Sequence, residues 1–391
     1  MTPSVLMLTL NSQGVKMKIL ESLLLFLVTN ITVSKGWVTE PQCEERGDQL
    51  YLWSVQEYPH SPKSWLYGTI HVPWTLINLP SQAIGSFVSA DEVYFEIAGS
   101  VDHTDGFGDC LVGDVPDDLR RKYIQLVKRI AERSALEDEE AFSKEMERSH
   151  LLALFEYIET LILFKKYPET IEDPILDSAL EYLAMRKNKT IGDVERPEDR
   201  CALFNLLPME THLIVLEDTI NRLEETLSDL EELIQKYNCL TLDEDHMAMD
   251  SKSLVVKDLT PTQSQKINDF NDWWIKEVLV NRNVNMTKKI VELLKDSVTT
   301  KFFAFGAAHF LGQNSVVDML QRRGFLVKRI QRLSDEEKLM NLTTIGFESV
   351  LELLELLELH DDVNASASRS SNQFILLSMV MVVTNFLKKI K

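Results

Sequence analysis

The chain has 391 residues, 45% of them hydrophobic and 26% charged, enough to bury one large core or two small ones. A formal net charge of −20 leaves nothing to neutralise a run of phosphates, which argues against a nucleic-acid partner. The same acidity favours solubility and reads first as a solvated surface.

In chain order, the first feature is a leader. Lys16 and Lys18 precede the apolar run Leu23-Leu24-Leu25-Phe26-Leu27-Val28, which weakens towards Val33. This is the n-region and h-region order of a secretory signal, assigned to residues 1–35, with Met17 a more typical start than Met1. Glu21 and the shortness of the run argue against a spanning helix.

Residues from Gln49 to Ile97 are strand-like. Within them Trp65-Leu66-Tyr67-Gly68-Thr69-Ile70-His71 reads as a strand running into a turn near Pro73. A helix follows over Ser81 to Ser89, then a strand, Val93-Tyr94-Phe95-Glu96-Ile97. From Asp114 to Lys301 the text is overwhelmingly helical. It contains a heptad run, Leu216, Ile220, Leu223, Leu227, Leu230 and Ile234, which predicts one apolar helix seam packed on its own domain.

The strand-like text then returns. Phe302-Phe303-Ala304-Phe305-Gly306-Ala307-Ala308-His309 is followed by a helix over Ser315 to Arg323, Gly324 as its C-cap and a strand Phe325 to Ile330. Each half is thus strand, Gly-x-x-His, helix, strand. The fold class that follows is α/β, with two such units forming one core sheet and a long helical insertion between them. The domain so defined spans residues 36–330.

Residues 331–373, with the Leu-Glu repeat Leu351 to Leu359, read as a stalk. Phe374 to Leu387 is an apolar block shorter than the ~20 residues of a comfortable membrane crossing. The short basic tail, 388–391, favours a single-pass anchor with the bulk of the chain outside the cell. A removable lipid-anchor signal is the competing reading, since small residues surround Asn364. Cys43, Cys110, Cys201 and Cys239 form no Cys-x-x-Cys pair, and in an oxidising compartment they allow two disulfides in any of three connectivities. Glycosylation sequons stand at Asn188, Asn285, Asn341 and Asn364.

The chemistry is expected at one sheet edge. His71 lies just past its strand and Glu96 near the end of the strand returning beside it. If the second unit joins the sheet in the same sense, His309 reaches the same crevice. Two imidazoles and a carboxylate make a three-ligand metal set with positions open for water and substrate. Gly68 and Gly306 permit a sharp turn or close backbone approach. His60, His103, His150, His212, His246 and His360 lack a partner at ligand spacing and read as surface or structural residues. There is no His-Glu-x-x-His, no Gly-x-Ser-x-Gly and no phosphate-binding Gly-x-x-x-x-Gly-Lys loop, which excludes the zincin, serine-hydrolase and nucleotide-binding patterns.

The blocks Leu66-Tyr67-Gly68-Thr69-Ile70-His71-Val72-Pro73, Val93-Tyr94-Phe95-Glu96 and Phe302 to Gly312, in this order and over roughly Leu50 to Ile330, resemble the TIKI metalloproteases of the wider TraB family. The resemblance implies a membrane-anchored, metal-dependent protease that trims the N-terminal region of Wnt proteins and so opposes Wnt signalling. It implies manganese or cobalt as the metal, with His71, His309 and Glu96 at the centre. It also carries over Arg282-Asn283, on a helix recognisable from Ile267, Phe270, Trp274 and Val278. Arg282 either holds a substrate carbonyl or carboxylate, or braces Glu96. The chain departs from the family at Ala98, where an aspartate is usual and whose place Asp102 is free to take, at Asn285, which replaces a cation, and at Ala308, where a second glycine is common.

On this reading His71 and His309 hold a metal that activates water and polarises the scissile carbonyl, and Glu96 completes the shell or serves as base. Two alternatives stay open. One is a non-catalytic relative that keeps the fold and binds a ligand, supported by Ala98 and Asn285. The other is a metal-dependent esterase or amidase acting on a small molecule, which a deep closed pocket would favour.

Overall fold

The structure is a computed structural model and describes residues 43–98, 116–131, 162–170, 173–196, 208–243, 260–295 and 298–333, with 199, 202–203 and 206. The leader, most of the stalk, the apolar block at 374–387, Cys110, Cys201, Asp102, His103, His150, His246, His360, Asn341 and Asn364 lie outside the described residues. Among the described residues, no helix is long and apolar enough to cross a membrane.

The elements are β1 (Gln49–Gln56), β2 (Ser64–Thr69), α1 (Ser81–Ser89), β3 (Glu92–Phe95), α2 (Asp117–Ala131), α3 (Leu176–Arg186), β4 (Thr190–Asp193), α4 (Met209–Asn221), α5 (Leu223–Asn238), α6 (Pro261–Trp273), a π-helical stretch (Trp274–Asn281), α7 (Arg282–Leu294), β5 (Lys301–Gly306), α8 (Val316–Arg322) and β6 (Leu326–Gln331). The six strands form one sheet in the order β4-β3-β5-β2-β1-β6. β4, β3, β5 and β2 are parallel, and β1 runs antiparallel to both β2 and β6. The fold class is the expected one, α/β with a single core sheet.

Burial explains the sheet's centre. β5 carries Phe302, Phe303, Ala304 and Phe305, all buried, and β2 carries buried Leu66 and Tyr67. A parallel strand covered on both faces needs such a continuous apolar run. Tyr67 and Phe87 pack on Phe302, Tyr94 stacks on Phe303, and Phe310 lies against both Phe305 and Trp53. The helical insertion adds a satellite cluster of Ile214, Val215, Ile267, Phe270, Trp273 and Val278. The helix face read from Ile267, Phe270, Trp274 and Val278 is therefore real, although its second half winds as a π-helix.

Three local expectations are corrected. Glu96 does not return on a strand beside β2, because β5 lies between β2 and β3 and pairs with both. Chain-distant strands can intercalate this way, and local spacing carries no trace of it. The middle region is not helical throughout, because β4 adds a fourth parallel strand beside β3. The heptad run is two helices, broken at Arg222 (φ −104°, ψ 34°), with Leu216, Ile220 and Leu230 in the main core. As read, it packs on its own domain.

The loop after β2 is clamped from the insertion. Pro73 bridges Ile175, Trp74 N–H donates to Pro174 O and Leu176 N–H donates to Val72 O. Thr75 Oγ1 donates to Asp173, while Asn238 donates to Leu76 O and accepts from Asn78 N–H. The residue after Asn238 is Cys239, disulfide-bonded to Cys43 across 196 residues of chain. A cross-link closing so long a loop restricts the unfolded chain strongly, by roughly 2–5 kcal/mol. Cys239→Ser should lower the unfolding free energy by about that amount in a denaturant titration; a midpoint unmoved by the substitution and by reductant would contradict the role.

At the opposite sheet edge Glu92 ties β3 to β5, accepting from Tyr94, Thr299 and Lys301. Burial works against its charge, but these three partners outweigh it and hold the carboxyl below its ordinary range. A carboxyl with a depressed folded-state pKa stabilises fully above the unfolded value of about 4.3, and loses that contribution as pH falls through the folded value. Glu92→Gln should therefore flatten the acid limb of the stability-versus-pH curve while costing stability at neutral pH; an unchanged acid limb would refute this.

Candidate metal centre

The parallel strands all end on one edge, and the residues just past their ends assemble there. Thr69 pairs with Gly306 across β2 and β5, and Phe95 pairs with Ala304 and with Asp193. Beyond the ladder Val194 N–H donates to Phe95 O and Glu195 N–H to Glu96 O, so β3 and β4 stay paired one residue further. His71, Glu96, Glu195 and His309 thus leave four adjacent strands in the crevice where open α/β sheets take ligands.

Gly306 marks the centre of the group. A methyl built on it would stand 3.5 Å from His309 Cδ2 and 3.9 Å from both Glu96 Oε2 and His71 Nε2. His71, Glu96 and His309 therefore face one space, as the sequence pattern requires. They surround that space without closing on a point: among the described residues no three or more His, Cys, Asp or Glu side chains lie at metal-holding separations. The glycine is not there for its turn, since φ −47° and ψ 128° suit any residue. It keeps side-chain atoms out of the space. Gly68 has a related task, because a Cβ there would come within 3.0 Å of Ala307 Cα and Cβ.

Each imidazole is held from behind. His309 is 4% exposed and its Nδ1 lies 2.7 Å from Asn283 Oδ1. Asn283 Nδ2 donates to Asn314 O at 3.0 Å, which fixes the amide orientation and makes Oδ1 the acceptor. His309 Nδ1 is then the donor to that oxygen. His71, its side chain 50% exposed, has Nδ1 3.1 Å from Asp177 Oδ2. Asp177 sits in the first turn of α3 and takes Thr69 Oγ1 on its other oxygen at 2.6 Å. Carboxylate or carbonyl oxygens behind Nδ1 are what metal-ligating histidines require, and His71 Nε2 and the Cδ2 edge of His309 face the common space.

Glu96 is held by a buried cation. Arg282 Nη2 donates to Glu96 Oε1. Its Nε lies 3.0 Å from both Glu195 oxygens, Nη2 2.5 Å from Glu195 Oε2, and Nη1 3.4 Å from Val278 O. All three side chains are about a tenth exposed. Burial disfavours the arginine's charge, but the carboxylates of Glu96 and Glu195 outweigh it and raise the guanidinium pKa above its ordinary value. Of the two roles left open for Arg282, this geometry is that of a brace. Glu96 Oε2 stays turned to the space beside His71 Nε2.

The chemistry of these donors fits a divalent ion: two imidazoles, one carboxylate oxygen and a glycine that leaves room. Asp177, Asn283 and Glu195 were not read from the sequence as site residues. Asp177 has no local signal, being 106 residues from His71. Asn283 was visible only as half of the Arg-Asn pair. Glu195 follows a four-residue strand inside helical text, marked only by the Thr190-Ile191-Gly192 run. At Ala98, the backbone N–H donates to Asp193 Oδ1, so a carboxylate from β4 does stand beside that position. His60 is exposed, and His212 packs edge-on to Phe270 and Trp273 inside the satellite cluster. Asn188 and Asn285 are exposed.

Residues 51–329 match the TraB/PrgY/gumN family. Among curated proteins, Metalloprotease TIKI2 of Xenopus tropicalis is 28% identical over 342 residues, covering 77% of this chain and 64% of that protein. Metalloprotease TIKI1 of Xenopus tropicalis is 26% identical over 315 residues, covering 70% and 60%. Metalloprotease TIKI1 of Homo sapiens is 25% identical over 349 residues, covering 78% and 67%. The chain thus spans less than two thirds of the length of the first two of these proteins. No solved structure matches it.

Gly306→Ala tests the space directly. The variant should melt as the native protein does, because its backbone angles suit alanine, yet bind manganese roughly tenfold or more weakly. Unchanged manganese affinity in a folded variant would mean the space is not the ion's.

Proposed function

This chain belongs to the TraB/PrgY/gumN family, and from that premise and the site geometry we propose that it is a metal-dependent protease. The observation that carries the proposal is the convergence of His71, His309 and Glu96 on the space beside Gly306, each held from behind by its own partner. The similar proteins are named as metalloproteases, which supports the same reading.

In this proposal His71 and His309 would hold the ion, and Glu96 would present Oε2 to it. Manganese or cobalt is the metal proposed. A divalent ion there supplies Lewis acidity towards a carbonyl oxygen and water of lowered pKa. Asp177 and Asn283 keep both imidazoles in the Nδ1–H tautomer, so that Nε2 is an acceptor in the resting site. Glu96, with Oε1 tied to Arg282, either completes the shell with Oε2 or takes a proton on it. Arg282 keeps that carboxylate from rotating.

The substrate proposed is the N-terminal region of a Wnt protein, and the consequence is negative regulation of Wnt signalling. The half-exposed His71 supports a site open to a polypeptide segment more than one sealed around a small molecule. We further place the chain at the cell surface, exported by its leader and held by its C-terminal apolar block, with Asn188 and Asn285 available for glycosylation.

Incubating the protein with a Wnt, with and without manganese, and reading the Wnt N-terminus by mass spectrometry tests the activity. Metal-dependent shortening is expected. His71→Ala and His309→Ala should abolish it, and Asn283→Ala should reduce manganese affinity by roughly 10–100-fold. Full cleavage by either histidine variant would reject the assignment, and a Wnt left intact by the manganese-loaded protein would favour the ligand-binding relative.

A further inference from the structure

The Glu96–Arg282–Glu195 triad holds one more carboxylate than is needed to balance its guanidinium. Arg282 spends its Nε–Nη2 edge on Glu195, with three contacts of 2.5–3.0 Å, and gives Glu96 a single Nη2 contact, at Oε1. Its Nη1 is turned to Val278 O. The fork geometry that suits a guanidinium to a carboxylate is therefore used on Glu195 and withheld from Glu96. Glu195 is fixed where it can do this, because its N–H bonds to Glu96 O as the β3–β4 pairing continues past the strand ends.

We propose that Glu195 is a positioning residue for the metal site: by occupying the Nε–Nη2 edge of Arg282, whose Nη1 is turned to Val278 O, it leaves the arginine a single contact to Glu96 and keeps it from clasping both oxygens. Glu96 Oε2 thereby stays turned to the space shared with His71 and His309. Without Glu195, the vacated edge is the strongest available partner for Glu96, and a bidentate clasp draws Oε2 away from the ion. The triad then works as a competition in which the arginine grips one carboxylate with two nitrogens and the other with one. This inference rests on the metal-site reading above.

The test is manganese titration of the purified full-length protein, read by the loss of the free-ion electron paramagnetic resonance signal. Four proteins are compared: native, Glu195→Gln, Arg282→Lys and the double variant, each checked for a cooperative melt. Glu195→Gln should weaken manganese binding roughly tenfold or more. In the Arg282→Lys background the same change should alter affinity by less than about twofold, because an ammonium group has no fork with which to clasp Glu96. A loss of equal size in both backgrounds would show that Glu195 acts only through its charge, and would overturn the proposal. So would native affinity in Glu195→Gln. Should Glu195→Gln fail to fold, Glu195→Asp, which withdraws the carboxylate by one methylene, is read in the same two backgrounds against the same outcomes. If the native protein binds no manganese, the metalloprotease reading fails first and this inference falls with it.

Discussion

Parallel pairing of β2 with β5, in the register that sets Thr69 opposite Gly306, is the constraint from which the site follows. Two strands far apart in the chain end level with one another, and each is followed by a histidine. β3 joins on the other side of β5 and delivers Glu96 to the same edge. A slip of one residue between β2 and β5 would reverse which face each side chain meets and separate the imidazoles. The continuous burial of Phe302 to Phe305 resists such a slip, since both faces of that strand are already filled.

Charge is arranged around this frame with little waste. One buried guanidinium lies between two carboxylates, while an aspartate and an asparagine stand behind the two imidazoles. Removing one member of a buried charge set leaves the others desolvated and uncompensated, at a cost of roughly 3–5 kcal/mol. Stability and chemistry are therefore coupled here, and a variant's loss of function has to be separated from its loss of fold. Gly306 escapes that coupling because its backbone is unstrained and a methyl there meets its neighbours only at ordinary contact distances.

Much of this was legible in the sequence. The two Gly-x-x-His turns, the apolar strands before them and the helix-strand pairs after them pointed to one core sheet with His71, Glu96 and His309 at a single edge, because each signal is local and the periodicity of 2 or 3.6 is strong. The neighbour order of the strands was not, since nothing in the text around Glu96 says that β5 will intercalate. β4 was hidden by its length of four residues, and with it Glu195. The heptad run from Leu216 to Ile234 held no sign that Arg222 would interrupt the helix. Orienting residues such as Asp177 are set by tertiary packing, so spacing alone cannot reveal them.

The central claim is that His71, Glu96 and His309 surround a single ion. Anomalous diffraction from crystals grown with manganese, recorded on both sides of its absorption edge, addresses it without reference to any substrate. The account predicts one strong peak beside Gly306, within bonding reach of both Nε2 atoms and Glu96 Oε2. A crevice without a peak there, or a peak bound by other side chains, would contradict it.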